Sequence, residues 1–205
     1  VVDSSAQTSA GTIGPGSTGS MRVDRDELPD DPGALVSCFG QCYDFQVTGV
    51  SGSVSVVLPI PQGIPEDAIY RKLVNGSWQD FDDGGADSVA SAGLVSGSGM
   101  RQCPAPNDAA YTPGLTAGHR CVRLTIADGG PNDADGASDG TVMDPGGVAV
   151  AVGGGAGATA DLSTGTGGCS MSRTPMSAWE RGDWWLMAVL LGGLGLAVRR
   201  RRVRP

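Results

Sequence analysis

The sequence predicts a mainly β protein: a small antiparallel β-sandwich with flexible Gly/Ser-rich flanks and one C-terminal hydrophobic helix. Three observations predict it. In Ser53–Leu58 apolar residues recur at period two, so that Val54, Val56 and Leu58 share one sheet face. Asn75-Gly76 stands between two runs of β-branched and aromatic residues, and that pair accepts the two positive φ angles of a type I′ hairpin turn. No long window ahead of the tail carries the apolar stripe of an amphipathic helix.

Taken in order, residues 1–35 are predicted to be a flexible N-terminal linker, because Val1–Ser20 is rich in Ser, Gly and Thr. The chain opens Val1-Val2-Asp3 with no initiator Met and no signal-like segment. An exported protein needs such a signal, so a fragment or a processed chain is expected. Residues 36–152 are predicted to form the β domain. Its strands begin with Tyr43–Val47 and Ser53–Leu58, the second ended by Pro59, Pro61 and Pro65. The hairpin Ile69–Val74 and Ser77–Phe81 follows. Arg120–Ala127 alternates again, but Cys121 does not share a face with Leu124 and Ile126, which leaves its register open. Val148–Val152 is the expected closing strand. Tyr43, Phe45, Tyr70, Trp78 and Phe81 suit a sandwich core better than a sugar-binding platform. Residues 153–168 read as a Gly-rich stalk, and residues 169–205 as a C-terminal tail with a helix over 184–198.

Charge and cysteine usage narrow the setting. The formal charge is −8, with 14 basic and 22 acidic residues. Five of the basic residues lie after position 198, so residues 1–198 hold nine basic against 22 acidic, a balance of −13. A body that acidic repels nucleic acid and anionic lipid. Cys38, Cys42, Cys103 and Cys121 allow three pairings. Cys38–Cys42 with Cys103–Cys121 is favoured, the first closing a tight loop and the second stapling a Pro-rich excursion. A zinc site lacks a companion C-x₂-C or H-x₃-H, and the C-x-x-C spacing of a redox pair is absent.

The block Asp128–Gly147 is the most concentrated polar feature. Asp128, Asp133, Asp135, Asp139 and Asp144 converge only if the intervening glycines turn the chain tightly, and convergent carboxylates suit Ca²⁺. Aligned to an EF-hand, Asp133, Asp135 and Gly136 fill positions three, five and six, but Pro131 and Val142 fall where carboxylates are required. Two readings stay open: an irregular Ca²⁺ loop, or a series of turns whose Asp and Asn side chains cap their own backbone. Asp82–Asp87 is a weaker version of the same pattern, read as a turn. No enzyme is expected. His119 is the sole histidine, it lies in a turn, and no nucleophile motif, P-loop or dinucleotide fingerprint accompanies it. No small-molecule substrate is indicated.

The tail has its own physics. Trp184–Val198 is an uncharged run of 15 residues. As a helix it spans about 22 Å, short of the roughly 30 Å hydrocarbon core of a bilayer. Trp179, Trp184 and Trp185 suit the headgroup boundary, while Arg199, Arg200, Arg201, Arg202 and Arg204 hold the end on the cytoplasmic side. The expected orientation puts the body outside and the C-terminus inside. The order Gly168-Cys169, spacer, short apolar helix and Arg-rich end resembles the tripartite sorting signals of Gram-negative bacteria, nearest to the MYXO-CTERM and JDVT-CTERM types. The resemblance implies that Cys169 is the processing or lipid-modification site. It further implies that the apolar run with Arg199–Arg202 retains the chain in the inner membrane for a sorting protease.

A second resemblance covers residues 42–148. A strand ending Leu58-Pro-Ile-Pro61, then Ala68–Lys72, Gly76–Phe81 and Leu124–Gly130 through Asn132–Gly136, Asp139-Gly140 and Asp144–Gly147, is similar to the choice-of-anchor U domain. That resemblance implies a position beside an anchoring signal on a bacterial surface protein and no chemistry. The Cys103–Cys121 excursion looks like an insertion into it. Two functions are therefore expected to compete: a non-catalytic module next to a membrane-sorting signal, and a Ca²⁺-dependent adhesion or ligand-binding domain.

Overall fold

Alternation of apolar and polar residues drives the observed architecture, because each strand that buries one face must find another sheet to cover it. The computed structural model describes residues 5–97 and 100–152. In chain order the strands are β1 Gln7–Thr8, β2 Thr12–Pro15, β3 Arg22–Val23, β4 Ala34–Val36, β5 Cys42–Thr48, β6 Ser53–Pro59, β7 Ala68–Val74, β8 Ser77–Asp80, β9 Ser88–Ala92, β10 Val95–Gly97, β11 Met100–Gln102, β12 Thr112–Pro113, β13 Cys121–Ala127 and β14 Thr141–Ala151. Among the described residues a 3₁₀ turn spans Arg25–Glu27. Among the described residues no helix is long and apolar enough to cross a membrane. The predicted stalk, Cys169 and the helix over 184–198 lie outside the described residues.

Two antiparallel sheets face each other. One has the order β1-β6-β13-β9-β12, the other β2-β5-β14-β7-β8, with β3 added to β5 and β4 to β14. Val54, Val56 and Leu58 of β6 and Val122, Leu124 and Ile126 of β13 line the first inner face. Tyr43, Phe45 and Val47 of β5, Tyr70 of β7 and Val142 and Val148 of β14 line the second. The register left open for β13 is thereby fixed: Val122, Leu124 and Ile126 oppose Leu58, Val56 and Val54, while Cys121 and Arg123 point outward.

Each outer face has its own cover. Val57, Ala90, Ala92 and Cys121 lie under the excursion that carries Cys103 and Tyr111. The other sheet's outer face lies under the N-terminal segment, where Val23 and Leu28 pack with Cys42, Leu73 and Trp78. Trp78 is therefore a cover contact and not part of the central core, and its indole N–H donates to the Pro29 carbonyl at 2.9 Å.

Two expectations are corrected. Residues 1–35 are not wholly a flexible linker, since β1 pairs with β6, β2 and β3 with β5, and β4 with β14. Strands of two to four residues bind through backbone N–H and C=O groups, and composition hides them. Ala6, Ile13 and Met21 add partly buried contacts to the central core. The closing strand is also longer than Val148–Val152, starting at Thr141 and running through Asp144-Pro145-Gly146-Gly147. Pro145 is tolerated because β14 pairs with β7 only from Gly146 onward, so at Pro145 it is bonded on the β5 side alone.

Candidate functional site

The loop between β13 and β14 turns at Gly129, Gly136 and Gly140, all at positive φ. Those turns bring backbone N–H groups to the carboxylates, and not carboxylates to one another. Asp128 accepts from the Gly140 N–H at 3.0 Å and from the Asp139 N–H and Ser138 hydroxyl at 3.3 Å. Asp133 bridges the Gly129 and Met143 N–H groups, both at 2.9 Å. Asp135 accepts from Ala137 at 2.8 Å and Asp139 from Thr141 at 2.9 Å. Asp144 lies apart, on β14, with its side chain toward the sandwich interior. Among the described residues no three His, Cys, Asp or Glu side chains form a group able to hold a metal ion. The convergence expected of a Ca²⁺ loop is not formed: Asp135 and Asp139 cap their own turns, and Asp128 and Asp133 accept from backbone N–H groups across the loop.

A side chain that spacing did not single out fastens this loop to the rest. Asn132 is fully buried. Its amide donates to the Asp82 carbonyl and to the Asp87 carboxylate, both at 2.7 Å, and its oxygen accepts from the Asp82 N–H at 2.9 Å. Asp87 also accepts from the Ala127 N–H at the end of β13. The two Asp/Gly-rich segments thus form one hydrogen-bonded unit at this end of the sandwich. The signal for it was the echo between Asp82–Asp87 and the longer block.

Next to this unit, polar side chains enter the core face of the second sheet. Tyr70 and Lys72 project inward from β7, and Asp144 from β14. The Tyr70 hydroxyl donates to Asp144 Oδ2 at 2.9 Å. Among the described residues Asp144 Oδ1 and Lys72 Nζ have no hydrogen-bond partner. Burial pushes the Asp144 carboxyl up to about 7, against the opposing pull of Lys72 and the Tyr70 hydroxyl. Burial also lowers the Lys72 ammonium, although Asp144, Asp133 and Asp87 act to raise it. Asp133 is likewise raised by burial, with its two backbone hydrogen bonds opposing. Sequence reasoning missed Lys72 because a lysine in a hairpin strand ordinarily points to solvent.

The favoured cysteine pairing is the one observed: Cys38 is bonded to Cys42 and Cys103 to Cys121. His119 Nδ1 lies 3.0 Å from the Ser91 hydroxyl, which also accepts from the Thr116 N–H. Ser91 is fully buried, so this pair fastens the turn to β9 and presents no nucleophile. Comparison of the chain with protein-family models, with curated proteins and with solved structures gives no match in any of the three.

Proposed function

We propose that this chain is a non-catalytic bacterial cell-surface protein whose β domain stands beside a C-terminal membrane-sorting signal handled near Cys169. The observation that carries the reading is the cysteine count. The chain has five cysteines, four of them joined in two body disulfides, and the fifth stands one short spacer ahead of the apolar run and the arginines. Disulfides that persist suit an oxidising compartment outside the cytosol. In this reading Gly168-Cys169 is cut or lipidated, Trp184–Val198 holds the precursor in the inner membrane, and Arg199–Arg202 keep the C-terminus cytoplasmic. The partners are that membrane and a sorting protease, and the body is periplasmic or exposed at the cell surface.

Calcium-dependent adhesion has less support, because the loop carboxylates already accept hydrogen bonds from their own backbone. The likeness to choice-of-anchor domains favours the same placement next to an anchor. Envelope fractionation of the native host tests the proposal. The wild-type body is expected in the outer envelope or on the surface, and Cys169→Ala is expected to stay with the inner membrane. Identical distribution of the two forms would overturn it.

A further inference from the structure

The row of polar side chains inside the sandwich has chemistry that the anchoring proposal does not use. Lys72 sits directly opposite Gly146 on the neighbouring strand β14, and Asp144 lies two residues along the same face. Diagonal neighbours of this kind lie about 7–8 Å apart at the backbone, within reach of a long side chain. Gly146 contributes no side chain between them. A Cβ there would stand 2.9 Å from Tyr70 Cε1 and 3.1 Å from Tyr70 Oη, so the Tyr70 ring covers the glycine and carries its hydroxyl to Asp144. Lys72 is 1% exposed and Asp144 0%.

Two features of the pair need a physical explanation. Both are buried, yet among the described residues Lys72 Nζ and Asp144 Oδ1 each lack a hydrogen-bond partner, although interiors normally satisfy such atoms. The two residues also form no ion pair with each other. The groups that face them are Tyr43 from β5, Asp133 and Asp87 from the loops, and Asp44 acting through the sheet.

We propose that the Lys72 and Asp144 side chains condense to an intramolecular amide linking β7 to β14. The neutral amine of Lys72 attacks Cγ of the neutral Asp144 carboxyl, and a C–N bond forms. The carbon's bond to Oδ1 breaks, and that oxygen leaves as water with the carboxyl proton and one proton shed by Nζ. Oδ2, held by the Tyr70 hydroxyl, becomes the amide carbonyl oxygen, and the donor steadies the charge that develops on it. No oxidant or cofactor is consumed. The product removes the orphaned Oδ1 and both ionisable groups from the core and leaves Nζ as a neutral amide N–H, and burial favours the neutral forms that the reaction needs.

Peptide mass spectrometry tests this independently of where the protein is sorted. The folded 205-residue chain is reduced, alkylated and digested with trypsin. The expected product is a branched peptide joining the segments around Lys72 and Asp144, lighter by one water than their sum, with no cleavage after Lys72. Lys72→Arg keeps a buried cation but cannot form this amide, and it is expected to yield only linear peptides while both disulfides form. Linear peptides of full mass from the folded wild type, with cleavage after Lys72, would overturn the proposal.

Discussion

Arg71 shows how a single side chain holds the N-terminal cover in place. On the outer face of β7 its guanidinium grips Asp31 with two hydrogen bonds, at 2.8 and 2.9 Å, and a third reaches Asp80 at 2.6 Å. The Asp31 side chain is fully buried and that of Asp80 is largely exposed, so the Asp31 contact dominates. Arg71→Ala would strand a buried carboxylate and is expected to cost about 3 kcal/mol, read as a lower urea midpoint. Burial alone would raise the Asp31 carboxyl, but hydrogen bonds from Arg71 and the Gly33 N–H outweigh it and hold the group below its usual range. Its contribution is therefore present above the ordinary carboxylate range and lost as pH falls through the lower folded value. An acid titration of the melting temperature should show that loss in the wild type, and a shallower one in Arg71→Ala. Gly16 gives a second test at this scale. A Cβ there would fall 1.9 Å from Asp44 Oδ1, inside the loop whose Thr18 N–H donates to Asp44 Oδ2. Gly16→Ala is expected to destabilise by about 1–3 kcal/mol through overpacking, measured by the same denaturation.

Individual elements differ in how clearly the residues announce them. The hairpin β7–β8 was legible because Asn75 and Gly76 both take positive φ, at 50° and 75°, and a left-handed pair leaves few sequences to choose from. Strand β6 was legible because its core-facing residues Val54, Val56 and Leu58 keep period two, although Val57 on the other face is buried too, under the excursion. Strands β1 to β4 were not, since their residues contribute mainly backbone hydrogen bonds to edges already formed. The Pro145-Gly146-Gly147 run looks like loop in the sequence because those residue types ordinarily end strands. Here Gly146 is needed under the Tyr70 ring, and a Cβ on Gly147 would stand 3.2 Å from Cys38 Sγ. The excursion carrying Tyr111 covers Val57 and Ala90, its ring lies under the Arg123 guanidinium at 4.8 Å, and one disulfide ties it down. Replacing Cys103 and Cys121 together with Ala opens a bridge with a sequence separation of 18. The expected cost is about 3 kcal/mol, seen as a lower denaturant midpoint. An unchanged midpoint would show that the excursion holds by packing alone.

At the scale of the whole molecule, a sandwich covered on both outer faces leaves its polar chemistry at one end and inside. The Asp/Gly block was visible in the sequence, but its role was not. Composition does not distinguish carboxylates that meet one another from carboxylates that meet backbone N–H groups. The buried Lys72 and Asp144 were invisible for a different reason: which face of a strand is inward depends on pairing, and pairing is non-local. The acidic body and the two disulfides suit an exterior setting, in keeping with the sorting role proposed for the tail. The most direct test of that account is the intact mass of the protein recovered from its native envelope. The account expects a product ending near Cys169, with or without an added lipid, and lacking Arg199–Arg202. Recovery of the chain at full mass, with its arginines retained and Cys169 unmodified, would contradict it.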